Sequence, residues 1–263
     1  MQKSTLYFLL KQRHIRLNHK NRKSGQFFSG AARVTLVVLL IAFFGVVFWG
    51  SWEYARISAN LPNPSELKTL LDRRQGELLT PTRVYDRTGQ VLLAEVGSPS
   101  STRTFLSTDP AEQDHFSSQL VTVTVALLEP DFWSGSGVQT ANLTDPKPAT
   151  IAERLVQGLF LASESESPLR ALRMRLLAAQ VTHQYSKAQI LEWFLNSAAL
   201  GHDTFGVEAA SQLYLGKSAR DLTLAESALM VGLMDSPALN PQDSPAAALD
   251  LQKTVLTTLE QRG

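Results

Sequence analysis

The chain has 263 residues, 44% apolar and 19% charged, which excludes wholesale disorder and allows one large domain or two small ones. There is no cysteine, so disulfides, thiolate metal sites and cysteine nucleophiles are excluded. The net charge of +1 is a cancellation: eight of the 25 basic residues and none of the 24 acidic ones lie in residues 1–52, leaving 17 against 24, a net of −7, in the other 211.

Residues 1–33 form a basic tail. Residues 34–52, VTLVVLLIAFFGVVFWGSW, carry no charge. As a helix they span roughly 28 Å, close to the hydrocarbon thickness of a bilayer. Trp49, Trp52 and Tyr54 sit at the far end, where aromatic rings favour the membrane interface. A cleaved signal peptide has a shorter apolar region ending in small residues, so an uncleaved single-pass anchor is expected. The positive-inside rule puts the N-terminus in the cytoplasm and the main domain outside.

Residues 53–116 are expected to form a linker and a hairpin. Leu61 to Glu66, LPNPSE, suits an extended linker because its prolines discourage helix. Thr82–Tyr85 and Gln90–Leu93 read as two short strands joined by a turn with Gly89. From about residue 117 to residue 263 the pattern is helical. Leu169, Leu172, Leu176 and Val181 fall near one helical face. Ser186-Lys187-Ala188-Gln189 and Thr223-Leu224-Ala225-Glu226 are capping-box patterns. The second opens a helix over Leu224–Met234, which Pro237 and Pro241 end.

Generic catalytic templates are missing. There is no P-loop, GxSxG, HExxH or CxxC, and the five histidines lie at no metal-ligand spacing. Ser65-Glu66-Leu67-Lys68 spells SxxK, but in the linker and with no KTG downstream, so it reads as a chance match. The residues alone leave a carboxylate-based enzyme and a binding module both open.

From Tyr185 onward the pieces YSKAQILEWFLN, FGVEAASQLYLGKSA, LTLAESALMVGL and SPALNP follow in order. Upstream stand LPNPSEL and TRVYDRTGQVL, and Leu249–Leu259 follows. Together, over about residues 30–263, this resembles glycosyltransferase family 51, the peptidoglycan glycosyltransferase domain of penicillin-binding proteins. The resemblance implies a mainly α, lysozyme-like glycosyltransferase domain with a small β-hairpin, preceded by one transmembrane helix. It implies polymerisation of lipid II at the outer face of a bacterial cytoplasmic membrane. One carboxylate would act as general base, basic groups would stabilise the pyrophosphate leaving group, and a divalent metal is allowed. It makes the bacterial membrane, lipid II or nascent glycan, and active cell-wall synthases the expected partners, and no nucleic acid. The transpeptidase domain that usually follows in that family is not expected, since the sequence ends at Gly263.

The family's chemistry-bearing motifs are altered. EDxxFxxHxG corresponds to LEPDFWSGSG, so Leu128 takes the place of the catalytic Glu and Glu129 that of the Asp. Glu129 is the remaining candidate base, but only with a backbone shift of about one residue. GGSTITQQ corresponds to KPATIAER, keeping Thr150 and Ile151 and placing Lys147 and Arg154 at its ends. RKxxE corresponds to RALRM, keeping Arg170, adding Arg173, and replacing the second Glu by Met174. The candidate substrate-binding residues are Thr150, Arg154, Arg170 and Arg173; no metal ligand is proposed. The expected protein is therefore a membrane-anchored peptidoglycan glycosyltransferase-like protein of impaired or lost activity. A non-catalytic scaffold or lipid II- or glycan-binding regulator is the alternative, and an enzyme using Glu129 a third reading.

Overall fold

The computed structural model describes residues 32–59, 61–73, 76, 82–96, 104–138 and 140–262. The basic tail up to residue 31 lies outside them. Two compact units emerge, residues 1–59 and residues 60–263, described separately.

In the first unit, α1 (Ala32–Ser58) is a 27-residue helix whose apolar window is wholly exposed. At 1.5 Å per residue it is about 40 Å long, enough to cross a bilayer. It outruns the expected 34–52 span, because nothing after Trp52 breaks a helix. Ser51 and Ser58 return their hydroxyls to the carbonyls of Val47 and Tyr54, and Arg56 pairs with Glu53 at 3.0 Å.

In the second unit the expected extended linker is partly helical. Pro64 and Ser65 form a turn that starts α2 (Glu66–Leu70). The short helix forms because Leu67 and Leu71 are buried in the core, and the Tyr185 hydroxyl donates to the Pro64 carbonyl. The hairpin pairs β1 (Thr82–Tyr85) with β2 (Leu92–Val96) in antiparallel register, Tyr85 opposite Leu92, with a bulge between Val84 and Tyr85. The second strand starts later than Gln90. The Asp86 carboxylate accepts from Thr88 Oγ1 and from the Gln90 and Val91 amides, so the turn claims those residues.

Among the described residues seven α-helices follow: α3 (Ser118–Leu128), α4 (Ile151–Phe160), α5 (Pro168–Gln184), α6 (Lys187–Ser197), α7 (Val207–Leu215), α8 (Leu224–Asp235) and α9 (Pro245–Arg262). The α3, α4, α5 and α6 starts are each capped by a Ser or Thr hydroxyl accepting an amide. Thr223 and Glu226 complete a reciprocal capping box at α8. The Ser186 pattern yields only the Ser half, accepting from the Gln189 amide at 3.3 Å. The resembling segment Leu249–Leu259 is the middle of α9, which Pro245 starts at a position where a missing N–H costs nothing.

Ser227 through Leu233 of α8 are all buried, so this helix lies inside the fold and packs on α3, α7 and α9. A second set is formed by α4, α5 and α6. On α5 the buried face is not the expected leucine stripe. Arg170, Ala171, Met174, Arg175, Leu177, Ala178 and Val181 are buried, while Leu169 is exposed. Two arginines can turn inward because backbone carbonyls accept them: Leu161 takes Arg170 Nε at 3.1 Å, and Asp145 takes Arg175 Nη1 at 2.9 Å.

Long-range polar contacts fasten the chain before α3 onto α6. Glu192 accepts Arg73 Nη2 at 2.9 Å, Ser107 Oγ at 2.9 Å and the Thr108 amide at 3.2 Å. Asn196 exchanges two hydrogen bonds with the Leu106 backbone. The Glu and Asn of the ILEWFLN motif thus hold the scaffold together.

Candidate functional site

The N-terminus of α4 gathers several sequence candidates. Thr150 caps the helix: its hydroxyl accepts the Glu153 amide at 3.2 Å and donates to the Gly137 carbonyl at 2.9 Å. Glu129 lies at the end of α3, and its carboxylate accepts the Ile151 amide at 2.7 Å. Glu153 returns its own carboxylate to the Ala149 amide at 2.8 Å. Burial pushes the Glu129 carboxyl above the usual carboxylate range, more than the Ile151 amide and the charges of Lys187 and Arg154 lower it. Leu128 is 7% exposed and belongs to the hydrophobic core. Met174 is buried there too.

A cavity of about 270 Å³ opens beside this region, between the two helix sets. Arg154 and Gln157 of α4 and Arg170 of α5 line it, with Phe194 and Ser197 of α6, Phe205, Met234 and Pro237. Two of the four expected substrate-binding residues, Arg154 and Arg170, therefore meet in one cavity. Thr150 and Arg173 do not line it; Thr150 is committed to its cap, and Arg173 pairs with Glu164 at 3.1 Å. Neither Leu128 nor Glu129 lines it. No Asp or Glu lines it among the described residues.

Sequence reading missed two residues here. Lys187, read only as part of a capping pattern, sets its ammonium 4.9 Å from the Phe132 ring centre and acts on Glu129. Asp235 pairs with Arg154. No sequence signal marks that pair, whose members are 81 residues apart.

Among the described residues no group of three or more His, Asp or Glu side chains could hold a metal ion. Among the described residues the donor set does not fit the divalent metal that the resemblance allows.

The chain thus combines a mainly helical domain whose cavity carries two guanidiniums with an apolar helix long enough to cross a bilayer. Residues 107–260 match the family model described as Transglycosylase, and the chain belongs to that family of glycosyltransferases. It is similar to penicillin-binding protein 1A of Pseudomonas aeruginosa, 29% identical over 231 residues, covering 83% of this chain and 26% of that one. Penicillin-binding protein 1A of Escherichia coli is 27% identical over 223 residues, 80% of this chain and 24% of that one. Penicillin-binding protein 2D of Bacillus subtilis is 31% identical over 156 residues, 54% of this chain and 22% of that one. The chain spans about a quarter of the length of these curated relatives.

Proposed function

We propose that this chain binds the lipid-linked peptidoglycan precursor, lipid II, or its growing glycan strand, and does not itself polymerise it. One observation carries this reading: the cavity presents Arg154 and Arg170 to an anionic group, yet no carboxylate lines it among the described residues. A sugar hydroxyl is a weak nucleophile and needs a base within hydrogen-bond reach. Of the carboxylates near it, Glu129 is committed to the Ile151 amide and Asp235 to Arg154. The two guanidiniums can still take a diphosphate, since they are always charged and match phosphate oxygens. In this reading α1 crosses the cytoplasmic membrane once, with the basic tail inside and the helical domain outside. Domain limits follow the sequence reading, with tail, span, linker and the glycosyltransferase-like domain from residue 117.

The test is incubation of the purified full chain with labelled lipid II, with Glu129→Gln alongside. Saturable binding without glycan chains supports the reading. Glycan chains that the wild type makes and Glu129→Gln does not would overturn it.

A further inference from the structure

Arg154 projects from α4, in the set formed with α5 and α6, while Asp235 ends α8, in the set formed with α3 and α9. Their ion pair ties the two sets together beside the cavity that Arg154 lines. The Asp235 side chain is 48% exposed and that of Arg154 18%. Arg154 Nε is buried and has no hydrogen-bond partner among the described residues. A guanidinium offers five donors in a fixed fork, so Arg154 is held by one carboxylate and left under-satisfied. An ion pair whose acid is half in water costs little to break, because water takes back the released carboxylate. A diphosphate offers more oxygens and more charge to the same fork.

We propose that Asp235 is a built-in competitor for Arg154. Its carboxylate holds the guanidinium in the ligand-free protein and yields it to a diphosphate entering the cavity. Binding then exchanges an internal pair for an external one and frees the α8 end from α4. This rests on the reading of the cavity as a diphosphate-accepting site.

Asp235→Asn removes the competing charge at nearly constant shape. Titration calorimetry of the full chain in detergent micelles with inorganic pyrophosphate should show Asp235→Asn binding about two- to fivefold tighter than wild type. Arg154→Gln should bind more weakly, and adding Asp235→Asn to it should restore nothing. Equal affinity of wild type and Asp235→Asn overturns the proposal. So does an equal gain in the Arg154→Gln background, which would be a general charge effect, or no pyrophosphate binding in either protein. Lipid II in micelles separates the two ideas. If lipid II binds and Asp235→Asn leaves both affinities unchanged, the competitor falls and the binding function stands. If pyrophosphate responds to Asp235→Asn but lipid II does not bind, the binding function falls and the competitor stands.

Discussion

The Glu129 carboxylate accepts the Ile151 amide at 2.7 Å, tying the end of α3 to the first turn of α4. This supplies an acceptor to one of the amides that a helix N-terminus leaves without an intrahelical partner. Leu128, one residue earlier, faces the core instead. The helix ends there, and adjacent side chains leave in different directions.

Glu129→Ala should therefore lower stability by about 1–2 kcal/mol, and Glu129→Gln, which keeps an acceptor oxygen, by less. Because burial raises the Glu129 pKa, its protonated form favours folding. That contribution is present below the ordinary carboxylate range and lost as pH rises through the raised value. Glu129→Gln should remove this part of the pH dependence, read by denaturant unfolding across pH 4–7 (about the window around an ordinary carboxylate). Placing a carboxylate at the neighbouring site, Leu128→Glu, should cost about 2–5 kcal/mol, because it buries a carboxylate in the core. It should yield no glycan polymer.

The Arg73–Glu192 pair joins positions 119 residues apart. Glu192 also takes Ser107 and Thr108, so Glu192→Ala strands several donors at once. A loss of about 1–3 kcal/mol is expected by thermal or denaturant unfolding. Arg73→Lys in the wild-type background should lose a smaller amount, since a lysine keeps the charge but cannot reproduce the fork that spans both carboxylate oxygens.

Glu226 gives the acid response. Burial alone would raise its pKa, but Lys217 at 2.6 Å and the Thr223 cap outweigh that and hold it at about 2. A depressed carboxylate stabilises the fold above its unfolded pKa, about 4.3, and loses that contribution as pH falls toward 2. Glu226→Gln should flatten the stability loss in that window and leave the slope above pH ~6 unchanged. Denaturant midpoints measured across the acid range check this.

Gly206 opens α7 with φ +85, and a Cβ there would lie 2.6 Å from the Asn196 carbonyl oxygen. Gly206→Ala should cost about 1–3 kcal/mol through left-handed strain and that contact. Its amide donates to Ala198, a cavity-lining residue, so ligand affinity should fall along with stability.

Much of the helical frame was legible because local rules set it. Ser186 and Thr223 mark helix starts by their own side chains, and Pro237 stops α8 in any surroundings. The long charge-free run to Trp52 made α1 readable by composition, although not where it ends. The α5 face was not legible: periodicity favours leucines inward, while the fold supplies carbonyls that let Arg170 and Arg175 be buried instead.

The sequence by itself determined the family, the apolar helix and the order of most elements, since these follow from residue types at short spacing. Only the tertiary structure decided that Glu129 is spent on the Ile151 amide, that Thr150 is a cap, and that Arg154 and Arg170 share a cavity with Asp235 at its edge. Those outcomes depend on which backbone amide, carbonyl or charge a fold brings near each side chain, and residues tens of positions apart leave no local trace of that meeting.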